Sequence, residues 1–92
     1  MADVTKQIRI TGSVQNVGFR YALCDMAVRL GVKGWVSNSS DGAVEAVLQG
    51  EPSHVQTILD WAKKGPPAAR VEKVDVTDGV GQYDEFLIEY RS

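Results

Sequence analysis

The chain has 92 residues, of which 43% are hydrophobic and 24% are charged, and its formal net charge is −2. This length provides for one hydrophobic core, and the negative balance argues against a protein that binds nucleic acid through a broad basic surface. Because the chain has one cysteine, Cys24, and one histidine, His54, it can form neither an intramolecular disulfide nor a Cys/His zinc cluster.

The chain carries no targeting or membrane signal in its sequence. Its first ten residues include Asp3, Lys6 and Arg9 and lack the apolar run of a secretory signal. No run of about 18 apolar residues follows, so we expect no membrane contact. We expect a complete, monomeric small protein with one domain over residues 1–92. An unpaired cysteine agrees with a cytoplasmic location.

The N-terminal third predicts a strand, a loop and a helix. Val4, Ile8 and Ile10 share one parity and indicate a first strand, which a loop over residues 11–18 follows. Apolar residues then recur at steps of three and four, which is typical of one helix face, and Gly31 ends the pattern. These apolar residues are Phe19, Ala22, Leu23, Met26, Ala27 and Leu30.

The rest of the chain predicts a hairpin, a second helix and two more strands. Strands over 33–38 and 43–49 flank a turn rich in Ser, Asp and Gly. A helix with Pro52 in its first turn ends at Gly65. A strand over 71–77 follows, and apolar residues alternate in a last strand. The alternating residues are Phe86, Ile88 and Tyr90.

The order β-α-β-β-α-β predicts an α+β fold of the ferredoxin-like, or split βαβ, type. We expect a sandwich in which two helices pack on one face of an antiparallel sheet. This fold supports many functions, so a function has to be argued from a site.

The segment 12–20, between the first strand and the first helix, is the strongest candidate for a site. A loop that leads into a helix presents free backbone N–H groups, and the helix dipole adds a partial positive charge. Arg20 opposes that dipole unless an anion lies between them, and its planar guanidinium matches phosphate oxygens. The sequence therefore predicts a phosphate-binding loop that includes Arg20.

Two segments together resemble the signatures of the acylphosphatase family. The first is GxVQxVxFR at 12–20, and the second is GWVSNxxxGxV at 34–44. Their spacing and the ending FxIxY at 86–90 also agree with that family. The likeness covers nearly the whole chain, and two ordered signatures are far more specific than one glycine-containing loop.

The resemblance implies an enzyme that hydrolyses the carboxyl–phosphate bond of acyl phosphates without a metal or a cofactor. It implies that Arg20 holds the phosphoryl group and that Asn38 positions the attacking water. The backbone N–H groups of the loop would surround the phosphate oxygens, and inorganic phosphate or sulfate can occupy the same place. The implied loop residues are Gln15, Asn16, Val17, Gly18, Phe19 and Arg20.

The chain departs from the family pattern at two positions. Asn16 stands where glycine is usual, and asparagine is among the few residues that tolerate a positive φ. Ser37 stands where a basic or long side chain is common, so any help from a charge there is lost. We expect both changes to modulate the rate or the affinity. Gly12 and Gly18 are expected to serve the loop conformation.

Each candidate also has a purely structural interpretation. Arg20 could be a solvated residue at a helix start, and Asn38 could simply open the hairpin turn. Cys24 lies beyond the loop and is expected to be a structural thiol, and His54 has no catalytic partner in sequence. The acidic residues fall in turns and edges, so we expect no metal site.

Two alternative functions remain open at this point. A ferredoxin-like RNA-binding module would need aromatic residues on central strands and a basic face, which this chain lacks. A non-catalytic domain that binds phosphate or another anion would share the same loop. Turnover of an acyl phosphate separates this second alternative from an enzyme.

Overall fold

The computed structural model describes residues 2–90, so the predicted domain limits at 1 and 92 lie just outside the described part. It contains five strands and two helices, in the predicted order. The strands are β1 (Val4–Ser13), β2 (Lys33–Asn38), β3 (Val44–Gly50), β4 (Arg70–Asp78) and β5 (Phe86–Glu89). The helices are α1 (Phe19–Leu30) and α2 (Pro52–Ala62). Neither helix of the described chain is long and apolar enough to span a membrane.

The strands form one sheet in the order β4-β1-β3-β2-β5. The pairs β4–β1, β1–β3 and β3–β2 are antiparallel, as predicted. The pair β2–β5 is parallel, with Gly34 opposite Phe86, so the sheet is mixed rather than wholly antiparallel. The reason is that the chain crosses one end of the sheet between the edge strands β4 and β5. The ferredoxin-like α+β class is confirmed.

The hydrophobic core lies between the sheet and the two helices. Inward-facing aliphatic residues of the sheet, such as Ile8 and Leu48, pack with Leu23 of α1 and Ile58 of α2. Each such side chain contributes about 1.5–3 kcal/mol when fully buried. The ring of Phe19, at the start of α1, lies 5.1 Å from that of Trp61 on α2. The beginning of α1 is therefore anchored directly in the core.

The first strand is longer than predicted and contains a bulge. β1 continues to Ser13, and its register with β4 shifts between Thr11 and Gly12. Gly12 has φ 123°, and a Cβ there would collide with the carbonyl oxygen of Arg70. Gly12 therefore belongs to the strand rather than to the predicted loop, and it permits the close approach of β4.

The sheet brings three strand ends to one edge. β1 and β2 both pair with β3, and Ile10 of β1 and Asn38 of β2 both lie opposite Val44. β1 and β2 therefore run in the same direction and finish at the same edge of the sheet, on either side of β3. β5 is parallel to β2, so it finishes at this edge as well, and Tyr90 comes directly after it. The loop after β1, the end of β2 and the end of β5 are thus brought together.

Candidate active site

A cavity of ≈ 260 Å³ lies at this edge of the sheet. Five of the predicted site residues line it, whereas Gln15 and Val17 do not. Tyr21, which the sequence did not indicate, lines it too. The lining residues are Val14, Asn16, Gly18, Phe19, Arg20, Tyr21 and Asn38.

The loop backbone has a conformation suited to an anion. Asn16 has φ 62° and Gly18 has φ 80°, whereas Val17 between them does not have a positive φ. Alternation of left-handed residues with others turns successive N–H groups toward one side, as in anion-binding nests. Asn16 is the one described residue other than glycine with a positive φ. The positive φ considered for this position is therefore present.

The N-terminus of α1 keeps its backbone donors available. Gly18 is the N-cap, no side chain caps the helix, and its first turn contains no acidic residue. The first helical hydrogen bond runs from Ala22 N to Gly18 O, at 3.0 Å. The N–H groups before Ala22 lack acceptors within the helix, so an anion in the cavity would satisfy them and interact favourably with the dipole.

The side chain of Gln15 ties the loop to the β2–β3 hairpin. Its Nε2 donates to the carbonyl oxygens of Ser39, at 2.7 Å, and Ala43, at 3.0 Å. The sequence interpretation gave Gln15 a backbone role alone, because a side-chain bond to a residue 24 positions away leaves no local signal. The Gln15 side chain therefore links the loop to the turn that follows Asn38, and Gln15 does not line the cavity.

Asn38, the last residue of β2, contributes an unpaired acceptor. Its Oδ1 is buried and accepts no hydrogen bond from the part of the chain that the structure describes. A buried polar atom without a partner costs roughly 1–3 kcal/mol, so its presence calls for an explanation. Ser37, the other departure from the family pattern, is buried off the cavity, and its hydroxyl donates to the Asn38 carbonyl at 3.2 Å.

Ion pairs hold the turn after Asn38. Arg9 of β1 pairs with Asp41 in the turn and, at 3.2 Å, with Glu45 on β3. The Ala43 backbone N–H, the Ser39 side chain and Arg9 together lower the pKa of Asp41 below its ordinary value. Asp41 therefore remains a carboxylate that fixes the turn.

Arg20 has an aromatic partner. Its guanidinium carbon lies 5.1 Å from the centre of the Tyr90 ring, within the range of a cation–π interaction. A side-chain hydrogen bond with Tyr21 raises the pKa of Tyr90, and the charge of Arg20 opposes that rise. A cation–π contact helps to position the guanidinium without using its N–H groups as hydrogen-bond donors, and these groups match phosphate oxygens.

The remaining reactive side chains lie off the cavity. Cys24 packs against the core from α1, and burial raises the pKa of its thiol, which disfavours the nucleophilic thiolate. His54 of α2 has its Nδ1 3.8 Å from a carboxylate oxygen of Glu51. Among residues 2–90, no three His, Cys, Asp or Glu side chains are grouped so that they could hold a metal ion.

The fold and the cavity together define a small α+β domain with a cavity suited to an anion at a helix N-terminus. The sequence model of the acylphosphatase family matches residues 6–88, and the chain belongs to this family. Its activity is therefore that of an acylphosphatase, a hydrolase that acts on small acyl phosphates. The resemblance seen in the two signatures is confirmed.

Individual relatives agree with this assignment. The chain is 51% identical to an acylphosphatase of Acidovorax sp. (strain JS42) over 77 residues, which are 84% of this chain and 79% of the relative. A solved acylphosphatase from Coxiella burnetii superposes with a TM-score of 0.91 at 32% identity, over 96% of this chain and 94% of that one. The acylphosphatase from Bacillus subtilis gives 0.89 at 32% identity, over 95% and 99%.

Proposed function

We propose that the chain hydrolyses acyl phosphates by in-line attack of water on phosphorus, without a metal and without a covalent enzyme intermediate. Arg20 and the loop N–H groups hold the phosphoryl group, and Asn38 positions the water. One observation carries this proposal: a single cavity joins Arg20, a helix N-terminus with free donors and Asn38.

Phosphate binding follows from the charges around the loop. The phosphoryl oxygens carry most of the charge in the transition state, so fixed donors stabilise them without reorganising. Arg20 can offer two parallel N–H bonds to the phosphoryl oxygens, while the Tyr90 ring lies over its guanidinium carbon. The dipole of α1 adds to this attraction, and the bound anion relieves the repulsion between Arg20 and the helix N-terminus.

Asn38 suits the role of holding a water because it lines the cavity and its side-chain amide carries both a donor and an acceptor. A neutral amide positions the water without ionising. As the water oxygen bonds to phosphorus, the bond from phosphorus to the acyl oxygen breaks and its electron pair leaves with the carboxylate. The proton of the water passes to a phosphoryl oxygen of the substrate itself. Because a carboxylate leaves readily, no strong general acid is required.

The loop residues have different roles in phosphate binding. Asn16 and Gly18 give the backbone its shape, and Phe19 anchors the start of α1 in the core. Val17 contributes its backbone alone, since its side chain packs against the core. Inorganic phosphate, the product, occupies the same donors, and sulfate does so as an analogue.

We also propose a domain organisation, an oligomeric state and a cellular location for the chain. Residues 1–92 form one acylphosphatase domain, acting as a monomer in the cytoplasm. One core that unites both helices with the sheet supports the single domain, and unpaired Cys24 agrees with a reducing compartment. Light scattering on the purified protein is expected to give the mass of one chain, and the mass of two chains would contradict the monomer.

The deciding experiment is phosphate release from benzoyl phosphate in EDTA, with one variant for each role. Arg20→Ala and Asn38→Ala are each expected to lose on the order of 100-fold or more in kcat/KM. Arg29→Ala is the matched control, because Arg29 lies on the same helix but pairs with Asp25 at 3.2 Å, away from the cavity. Its rate is expected to equal that of the wild type.

Two results would overturn the mechanism. Wild-type turnover by a folded Asn38→Ala variant would remove the water-positioning role, and loss of wild-type activity in EDTA would remove metal independence. A wild-type protein that binds phosphate without turnover would favour the non-catalytic anion-binding module. Hydrolysis in ¹⁸O-labelled water tests the site of attack, because attack at phosphorus puts the label in the phosphate and attack at carbon puts it in the acid.

A further inference from the structure

Two large aromatic side chains lie exposed beside the cavity. Tyr21, in the first turn of α1, lines the cavity with 62% of its surface exposed. Tyr90, just after β5, is 73% exposed and lies against Arg20. Aromatic surface exposed in pairs at the rim of a site commonly marks a binding surface. The phosphate-binding role of the cavity accounts for the contact of Tyr90 with Arg20, but not for Tyr21 or for the large exposed surface of Tyr90.

We propose that Tyr21 and Tyr90 form an aromatic wall that binds the acyl group of the substrate and selects acyl phosphates with flat or bulky apolar acyl groups over acetyl phosphate. This inference rests on the proposed function, since it assumes that the phosphoryl group lies on Arg20 and the loop. It assigns the preferred substrate class to two residues that do not take part in the chemistry.

The position of the phosphoryl group determines where the acyl group has to go. The donors for phosphate are the backbone of the loop and Arg20, and Val14 and Phe19 close the inner part of the cavity because both are buried. The acyl group therefore extends outward, along the exposed lining. Tyr21 is the large aromatic side chain on that route. A cavity of ≈ 260 Å³ is close to the lower limit, ~300 Å³, of sites that hold small organic ligands.

The wall is held in place before a substrate arrives. Tyr21 is fixed at the start of a helix whose first residue is anchored in the core, and Tyr90 stacks on Arg20. A side-chain hydrogen bond with Tyr21 raises the pKa of Tyr90, so the Tyr90 phenol stays uncharged at neutral pH. An uncharged Tyr90 does not repel the anionic substrate, and side chains held by such contacts lose less conformational entropy on binding.

The test compares benzoyl phosphate with acetyl phosphate, because the two substrates share the phosphoryl group and differ in the acyl group. In Tyr21→Ala, the ratio of kcat/KM for benzoyl phosphate to that for acetyl phosphate is expected to fall about three- to tenfold, mainly through KM. This is the effect of losing one aromatic contact of about 0.5–1.5 kcal/mol. Tyr21→Phe keeps the ring and is expected to keep most of the ratio.

The matched control is Val28→Ala, since Val28 lies on the same helix, is 64% exposed and does not line this cavity. Its ratio is expected to equal that of the wild type. An equal loss for both substrates in Tyr21→Ala would show that the residue supports the phosphate site or the fold and would overturn the proposal. An unchanged ratio would overturn it too.

A second readout separates this proposal from the proposed function. The binding of benzoylphosphonate and acetylphosphonate, which cannot be hydrolysed, is measured by calorimetry for the wild type, Tyr21→Ala and Val28→Ala. A loss confined to benzoylphosphonate in Tyr21→Ala supports the wall even if the wild type turns over neither acyl phosphate. Equal affinities of Tyr21→Ala and the wild type for benzoylphosphonate would refute the wall while leaving the hydrolytic mechanism intact.

Discussion

The substitution Gln15→Ala tests whether the phosphate loop and the hairpin that carries Asn38 act as one unit. It removes two hydrogen bonds, of 2.7 and 3.0 Å, to the carbonyl oxygens of Ser39 and Ala43. Both carbonyls keep a backbone donor, since Gly42 N donates to Ser39 O at 3.2 Å and Ser39 N donates to Ala43 O at 2.8 Å. No acceptor is orphaned, so the free energy of unfolding is expected to fall by only about 1–2 kcal/mol.

The effect on the rate is expected to be larger than this loss of stability suggests. Without Gln15, the loop proposed to hold the phosphate and the strand end proposed to hold the water lose their direct side-chain link. A misplacement of about 1 Å can cost roughly 100-fold in rate, so we expect kcat for benzoyl phosphate to fall about 10- to 100-fold. Urea denaturation and steady-state kinetics on the same preparations measure both quantities.

Gln49→Ala is the matched control for the Gln15 variant. Gln49 also ties strands together through its amide: its Nε2 donates to Thr5 Oγ1 and Gly81 O, both at 2.8 Å, and its Oε1 accepts from Tyr83 N at 3.1 Å. These bonds lie at the end of the sheet opposite the cavity. Gln49→Ala is expected to lose at least as much stability and to keep its kcat. Equal kcat values for the two variants would refute the coupling role of Gln15.

Three further predictions concern the loop, the turn and the anion. Asn16→Ala is expected to lose about 1 kcal/mol of stability in urea because its φ is 62°, whereas Asn16→Gly is not; equal midpoints would contradict the strain argument. In the folded state the Ala43 N–H foremost, then the Ser39 side chain and Arg9, lower the pKa of Asp41. The contribution of the Asp41 carboxylate to the free energy of unfolding is therefore complete above the ordinary pKa of 3.8 and is lost as the pH falls below that value. Asp41→Asn is therefore expected to lose less stability than the wild type on acidification, and parallel pH curves would contradict this. Inorganic phosphate is expected to raise the Tm of the wild type but not of Arg20→Ala, and an equal rise in both would place the anion elsewhere.

Local patterns in the sequence were sufficient to predict most of the fold. The three-and-four spacing of apolar residues predicted α1 and α2, and Asp41-Gly42 predicted the turn between β2 and β3. The parallel pairing of β5 was missed because the direction of an edge strand depends on which side of the sheet the chain reaches. No residue within β5 itself carries that information.

The candidate site was predicted in part, and the parts that were missed are all non-local. The helix-opening Arg20 and the resemblance indicated the loop and Asn38. The side-chain bonds of Gln15 and the approach of Tyr90 to Arg20 join residues far apart in sequence. Tyr21 lies off the apolar stripe of α1, and that position alone does not indicate a cavity. Its place on the cavity depends on the angle at which the helix leaves the loop.

Three features that are unfavourable in free energy lie together at one edge of the sheet. Arg20 opposes the dipole of α1, Asn16 adopts a left-handed conformation and Asn38 Oδ1 is buried without a partner. Costs of about 1–3 kcal/mol each persist only where the surrounding structure enforces them. The core under Phe19 and the ion pairs of the turn provide that constraint here. Under the proposed function, a phosphoryl group bound between Arg20 and the helix N-terminus relieves the first of these unfavourable features.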